Sequence, residues 1–155
     1  MSVSDALVYA PKPSAVSGSK YRQNLPSYNK SSFGPGETIL LNIPCGRRGQ
    51  FLNQRMSYLK FKVTNMNAQG EKFAPDYNAS SFISRLELFH GSNLLEQIHD
   101  YGLLYQLWMD MVADESATQY SGSVTEGIQV GNDKQRTGVT MNGQTSRVFC
   151  VPILS

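Results

Sequence analysis

Two histidines are the residues whose type and position most directly suggest chemistry in this chain. His90 and His99 flank a Gly-Ser-Asn turn, with Glu96 and Asp100 close by in the sequence. If the two imidazoles met across the turn, these groups could ligate zinc, which accepts nitrogen and carboxylate ligands. The spacing is not that of a zinc motif. We therefore favour turn or interface histidines, and predict neither a metal nor another cofactor.

Two carboxylates, Glu87 and Glu96, could face one another across the same hairpin. Such pairs serve general acid and base catalysis. Glu96, however, alternates with apolar residues, so we interpret it as structural, with Arg85 as a partner if it is buried. No serine lies in a nucleophile elbow and neither cysteine adjoins a histidine in sequence. We predict no catalytic residues and a protein that is not an enzyme.

Arg47 and Arg48 lie between two glycines directly after Pro44. Backbone amides and guanidinium groups suit phosphate. The segment lacks the lysine, the spacing and the following helix of a nucleotide-binding loop. We interpret it as an exposed turn or a subunit contact.

The elements that must position these residues centre on residues 82–112. Residues 82–90 and 94–99 alternate as half-buried strands do, around turn residues that begin at Gly91. Asp100 can cap the helix that follows. We predict that this helix buries an apolar stripe at helical spacing, formed by Leu104, Leu107, Trp108 and Met111.

Further strands are predicted at residues 37–43, 57–64 and 147–154. In the second of these, lysines on a solvated face alternate with three inward side chains, Leu59, Phe61 and Val63. Residues 113–145 are rich in Ser, Thr, Gly, Gln and Asn, which predicts a long loop. One short helix among strands and loops places the chain in the all-β class.

The composition of the chain indicates which kinds of binding partner to expect. The 155 residues suffice for one domain with a core, and the net charge of +2 gives no reason to expect a specific nucleic-acid partner. Charged residues make up 17% of the chain, against roughly 25% in an average soluble domain. This deficit suggests that other protein covers part of the surface.

Residues 1–35 are rich in Ser, Pro, Lys and Tyr and show no period. They are either a floppy terminus or an extended arm that orders against neighbouring subunits. The arm interpretation rests on aromatic anchors, and with the arginine pair these give the predicted subunit-contact residues: Tyr9, Tyr21, Tyr28, Phe33, Arg47 and Arg48.

Neither a leader peptide nor an apolar run of membrane-spanning length is evident, so we expect an intracellular setting. Cys45 and Cys150 are then expected to be reduced and buried. Asn29 and Asn78 each begin a glycosylation pattern, which we regard as chance in that setting.

Four segments follow one another in the order ETILLNIP, SYLKFKVTN, SRLELFHGSNLLEQIHDYGLLYQL and RVFCVPILS. This succession resembles the N-terminal half of double jelly-roll major capsid proteins. These form the hexon-type lineage of adenoviruses, large nucleocytoplasmic DNA viruses, virophages and polinton-like viruses. The most telling part is the strand, glycine turn, Leu-Glu-x-Ile, Asp-Tyr and Leu-rich helix between Leu86 and Leu107.

The resemblance implies a jelly-roll β-sandwich over residues 36–155, with 113–145 as a long loop and 1–35 as an extended N-terminal arm. Family members carry two eight-stranded jelly rolls, whereas this chain has residues for about five or six strands of the first. We therefore expect an incomplete first jelly roll.

The implied function is that of a structural capsid protein. Its subunits would form homotrimers, pseudo-hexagonal capsomers that tile an icosahedral shell. The expected partners are the other copies in the trimer, neighbouring capsomers, minor capsid proteins and, through the N-terminal arm, an internal membrane. The expected location is the virion, after assembly inside the host cell.

Two alternatives come from other classes. A carbohydrate-binding β-sandwich would expose an aromatic side chain to stack on a sugar, the candidates being Tyr101, Tyr105 and Trp108. A hydrolase would need a pocket that gathers His99, Asp100 and Glu96.

Overall fold

Short antiparallel strands make up most of the regular structure. The computed structural model describes residues 18–44, 52–53, 56–112, 114, 118–131 and 136–154. The chain divides into two compact units, Met1–Gln50 and Phe51–Ser155. All named strands and helices belong to the second unit.

The strands are β1 (Tyr58–Thr64), β2 (Lys72–Phe73), β3 (Arg85–His90), β4 (Asn93–His99), β5 (Ile128–Val130), β6 (Arg136–Gly138), β7 (Met141–Asn142) and β8 (Ser146–Pro152). The helices are a 3₁₀ helix (Ala79–Phe82), α1 (Tyr101–Val112), a π-helical turn (Thr118–Gly122) and α2 (Ser123–Thr125). Within the described residues the helices are short and no barrel closes, which agrees with the predicted all-β class.

The strands pair antiparallel and two at a time, as β1 with β8, β2 with β7, β3 with β4 and β5 with β6. Each strand of the described region thus has one partner and one open edge. A two-stranded ribbon is marginally stable by itself in water. The ribbons must therefore draw their stability from packing against one another and against the helices.

The β1–β8 ribbon carries the alternation predicted from sequence. Leu59 pairs with Val151 and Phe61 with Phe149, so apolar side chains share one face. Phe149 and Val151 are fully buried, while the lysines of β1 lie on the exposed face. The pairing register follows from this pattern, because a shift by one residue would turn the apolar side chains to water.

The predicted hairpin is confirmed as β3 and β4. Gly91 lies in the turn between the two strands and has a φ of 60°, a left-handed conformation that glycine adopts without a steric cost. The register shifts between Leu88 and Phe89, which gives the hairpin a bulge.

Helix α1 starts through main-chain contacts. The Tyr101 amide donates to the Ser84 carbonyl over 3.2 Å and the Gly102 amide to the Ile83 carbonyl over 3.2 Å. Asp100 accepts from the next two helical amides through its backbone oxygen, at a φ of 51°. The predicted side-chain cap is therefore replaced by carbonyls of the preceding chain, which satisfy the first amides directly.

The buried face of α1 is not the predicted one. Tyr101, Tyr105 and Met109 point into the core, while the four residues of the predicted stripe are between 39% and 85% exposed. The buried tyrosines leave no hydroxyl unsatisfied, because Tyr105 donates to Glu126 and Tyr101 donates to the Pro152 oxygen. The core consists of Tyr77, Ala79, Tyr101, Tyr105, Met109, Ile128, Val139, Met141, Phe149 and Val151.

Two predicted segments differ from expectation. Residues 37–43 form no regular strand; they meet residues 27–30 through one isolated bridge, Ser27 to Leu41, and the Asn29 side chain bonds the backbone of Thr38 and Leu40. A side-chain amide thus replaces a strand ladder at this point. Residues 113–145, expected as a long loop, contain α2, β5, β6 and β7 in their described part.

Candidate functional site

Glu126 is a carboxylate inside the core, only 7% exposed. The Tyr105 hydroxyl donates to its Oε1 over 3.0 Å and the Asn78 amide to its Oε2 over 3.2 Å. Among the described residues no lysine, arginine or histidine pairs with it. Burial raises the pKa of the Glu126 carboxyl, and the two hydrogen bonds partly oppose that rise.

Asn78 joins this carboxylate to the 3₁₀ helix. Its Oδ1 accepts from the backbone amide of Ser80 over 3.0 Å and also from the Ser80 hydroxyl. The amide of Ala79 in turn donates to the backbone oxygen of Glu126 over 2.9 Å. We call Asn78, Ser80, Tyr105 and Glu126 the Glu126 cluster.

The Glu126 cluster is hydrogen-bonded throughout. Every buried side-chain nitrogen and oxygen in the described part of the chain has a hydrogen-bond partner. Burial also raises the pKa of the Tyr105 hydroxyl, which keeps it protonated as the donor to Glu126. The hydrogen bond from Tyr105 ties α1 to Glu126, the residue that directly follows α2, and the cluster acts as a structural network.

A second network fastens the far end of α1 to β6. The Tyr77 hydroxyl donates to Asp110 Oδ1 over 2.8 Å and accepts from Arg136 Nη1 over 2.8 Å. Arg136 also pairs with Asp110 over 2.7 Å. Tyr77 has a φ of 70°, a conformation that costs a non-glycine residue roughly 1–2 kcal/mol. These contacts hold the side of α1 that bears Asp110.

The two histidines of the hairpin are kept apart by its register. His90 lies opposite Asn93 at the turn, and His99 lies opposite Arg85 at the other end. Five residue steps of strand separate them, roughly 17 Å. The expectation that the two histidines could meet is wrong, because they occupy opposite ends of the ribbon.

The two hairpin glutamates are also not opposite each other. Glu87 lies across from Gln97, which donates to it over 2.7 Å, and Arg85 pairs with Glu87 over 3.3 Å. Glu96 lies across from Leu88 and is half-buried. The arginine proposed as a partner for Glu96 therefore serves Glu87.

Of the aromatic candidates for sugar stacking, Tyr101 and Tyr105 are fully buried. Trp108 is 39% exposed, with its ring 5.9 Å from that of Tyr105. The prediction that Trp108 is a core residue is wrong, since it lies on the outer side of α1. Cys150 is a free thiol and is only partly buried, so it differs from the expected buried thiol; Cys45 lies outside the described residues.

The predicted subunit-contact residues fall into two groups. Tyr21 and Tyr28 are strongly exposed and Phe33 is half-buried. Tyr9, Arg47 and Arg48 lie outside the described residues. The assignment of these six residues to subunit contacts remains a prediction.

The four residues of the predicted stripe belong to a larger exposed apolar surface on α1. We call it the α1 face, and it consists of Leu103, Leu104, Leu107, Trp108, Met111 and Val112. Helix α1 carries two stripes of side chains at helical spacing, the predicted one and a second that consists of Tyr101, Tyr105 and Met109. Only the second stripe is buried. The scarcity of charge is a sequence signal that some apolar side chains of α1 stay exposed, since Asp110 is its one charged residue and no polar face remains to turn toward water. It does not tell which of the two stripes is buried.

The described residues contain no group of three or more His, Cys, Asp or Glu side chains placed to hold a metal ion. Within the same residues, no helix combines the length and the apolar character needed to cross a membrane. Compared with family models, curated proteins and solved structures, the chain matches none.

Proposed function

We propose that this protein is a structural subunit of a viral capsid, equivalent to part of the first jelly roll of a double jelly-roll major capsid protein. Its copies form trimeric, pseudo-hexagonal capsomers that tile an icosahedral shell. The proposal rests on the sequence resemblance described above together with the geometry of the strands and of α1.

The observation that carries the proposal is the set of open strand edges. Each strand in the described region has one partner, although sheets need three or more strands or a helix cover for independent stability. Unpaired edges add strands from other chains readily. A subunit whose edges are completed by its neighbours fits a shell, where contacts between copies are permanent.

The α1 face supports the same conclusion. It gathers six exposed apolar side chains on one helix, whose single charged residue, Asp110, pairs with Arg136. Charged residues make up only 17% of the whole chain. Exposed apolar patches of this kind mark interaction sites. Burying such a face on assembly stabilises the contact by the hydrophobic effect.

A carbohydrate-binding β-sandwich is the second candidate, because Trp108 is exposed. Its exposed neighbours on the helix surface, three or four residues away, are Leu104, Met111 and Val112. Sugar sites need polar groups that converge on the hydroxyls beside the stacking ring. An aliphatic surrounding fits a protein partner better than a sugar.

Negative-stain electron microscopy of the full chain tests the proposal. We expect closed hollow particles, or sheets of regular capsomer-sized units, once the protein is concentrated. Dispersed single chains in every solution condition would contradict a capsid function. Retention on an immobilised oligosaccharide, lost in Trp108→Ala, would favour the second candidate.

A further inference from the structure

We propose that Met66 and Met111 are sites of reversible oxidation by peroxides, and that the fold shields Met109 and Met141 from the same reaction. The proposal concerns the single folded chain and does not depend on the capsid function. It rests on two contrasts in exposure, each between two methionines of the same part of the fold.

The first contrast lies within α1. Met109 and Met111 are two residues apart, a rotation of about 200° around the helix axis, so their side chains leave the helix on nearly opposite sides. Met109 is 8% exposed and belongs to the core, whereas Met111 is 85% exposed. Asp110, between them, accepts hydrogen bonds from Tyr77 over 2.8 Å and from Arg136 over 2.7 Å. These bonds fix the rotation of this turn, which keeps one sulfur inside and presents the other to water.

The second contrast lies where the chain leaves β1 beside β7. Asn65 directly follows β1 and is buried, and its side-chain amide donates to the Met141 oxygen over 3.2 Å. Met141 begins β7 opposite Phe73 and is 3% exposed. Met66 is the next residue after Asn65 and is 84% exposed. The anchored asparagine thus marks the edge of the core, with Met141 inside it and Met66 outside.

Oxidation of a methionine is governed by access to its sulfur. The thioether lone pair attacks one oxygen of hydrogen peroxide, and an S–O bond forms as the O–O bond breaks. The other oxygen takes up the proton of the first and leaves as water, so the sulfur is oxidised, the peroxide is reduced and no further reactant is needed. A thioether has no proton to lose and therefore needs no neighbouring base. Methionine sulfoxide reductases reverse the reaction.

The position of the sulfur decides what the product does to the protein. A sulfoxide is polar, so at Met66 or Met111 it is hydrated and replaces an apolar surface side chain by a polar one. At Met109 or Met141 the new oxygen would enter the core, where a buried acceptor without a donor is destabilising. Oxidation of the exposed pair therefore changes the surface and leaves the core intact.

The hydrogen bonds that hold α1 do not involve Met111. The Tyr105 hydroxyl donates to Glu126 over 3.0 Å, and the Tyr101 hydroxyl donates to the Pro152 oxygen over 3.2 Å. Both tyrosines lie on the buried side of the helix. We therefore expect oxidation of Met111 to make the exposed side of α1 more polar while the fold persists.

Peroxide treatment of the dilute full chain, followed by peptide mass spectrometry, tests the proposal. We expect Met66 and Met111 to form sulfoxide at least about tenfold faster than Met109 and Met141, because a buried sulfur reacts only when the fold opens. Met56, which is exposed to a lesser degree, should react at an intermediate rate. In urea, where every sulfur is accessible, the differences should disappear. A methionine sulfoxide reductase should then return the two fast sites to methionine, and the midpoint of urea unfolding should be the same before and after the fast phase.

Met66→Leu and Met111→Leu each remove one fast site and should leave the other unchanged. Met109→Leu, a swap of similar volume, is the matched control and should leave both fast sites in place. Equal rates in the folded chain, or a Met66 or Met111 as slow as the buried pair, would overturn the proposal. A sulfoxide that resists the reductase, or a urea midpoint lowered by the fast phase, would overturn it as well.

Discussion

At the scale of single residues, Glu126 is the group whose ionisation state is tied to the fold. Its carboxyl has a raised pKa through burial, with Tyr105 and Asn78 as its hydrogen-bond donors. Tyr101 also lies close enough to be affected by its charge. Neither Asn78 nor the two tyrosines changes charge in the range where a carboxyl titrates. The proton on Glu126 is therefore coupled to folding.

The coupling has a defined sign. Below the ordinary carboxyl range Glu126 is protonated in both the folded and the unfolded chain. As pH rises, the unfolded chain releases its proton first, so the free energy of unfolding falls until the folded pKa is passed. We expect Glu126→Gln to remove this fall, and urea unfolding of both proteins over the carboxyl range measures it. A native-minus-variant difference that grows with pH would contradict the assignment.

Glu37 offers a control of opposite sign. Lys30 and the Gly34 amide lower the pKa of its carboxyl. Its contribution is thus present above the unfolded pKa and is lost as pH falls through the folded pKa. Because Glu37 is exposed, we expect a small difference for Glu37→Gln that grows with pH, in contrast to Glu126→Gln.

Tyr105→Phe tests the hydrogen bond inside the Glu126 cluster. The variant keeps the buried ring and leaves Glu126 Oε1 without its donor. We expect the free energy of unfolding to fall by about 1–3 kcal/mol, the cost of an unsatisfied buried group. Tyr120→Phe is the matched control because Tyr120 is 72% exposed, and it should change little. Equal effects of the two substitutions in urea unfolding would argue against the network.

At the scale of elements, the contact between α1 and the 3₁₀ helix depends on Gly102. A Cβ there would lie 2.8 Å from Ser81 Cα and 3.0 Å from the Ser80 oxygen, both backbone atoms that cannot move aside cheaply. We expect Gly102→Ala to lower the free energy of unfolding by about 1–3 kcal/mol, although alanine favours helices.

Gly34→Ala is the control for that substitution. The nearest atom to a Cβ at Gly34 is a flexible carboxylate oxygen of Glu37 at 4.0 Å. We expect a change within about 0.5 kcal/mol. Thermal unfolding of both variants decides the matter, and a stabilised Gly102→Ala would show that α1 does not pack as closely as described.

The elements that the sequence predicted well are those with a local signal. β1, the β3–β4 hairpin, α1 and β8 follow from alternation, turn residues and helical spacing within each segment. The orientation of α1 could not be predicted this way, because both of its stripes are apolar enough to bury. The hydroxyl partners of the buried tyrosines lie far along the chain, as Glu126 does for Tyr105, and no local pattern announces them.

The Glu126 cluster could not be predicted from the sequence either, because its contacts join residues that are far apart in the chain. Asn78 and Glu126 are 48 residues apart, and neither segment has a motif that links them. For residues 37–43 the sequence predicted an element that does not form. Their apolar composition is typical of a strand, but a strand also needs a partner strand to bond with. Here the Asn29 side chain makes hydrogen bonds to the backbone of Thr38 and Leu40 instead. Local patterns thus predicted the elements, while the contacts between them depended on the fold.

At the scale of the whole molecule, the open strand edges and the exposed α1 face both favour association with other chains. β1 and β8 each have one free edge, and the α1 face lacks a partner within the described chain. Hydrophobic burial is the main favourable term in association, and strand addition satisfies backbone groups left unpaired. The proposed capsid function therefore predicts that the assembled form, rather than the single chain, is the functional one.

Multi-angle light scattering over a range of protein concentrations tests that claim most directly. We predict a molar mass that rises in discrete steps above the 17.2 kDa of one chain, through a trimer to large particles. A constant mass of one chain across the whole range, from a sample that unfolds cooperatively, would contradict it.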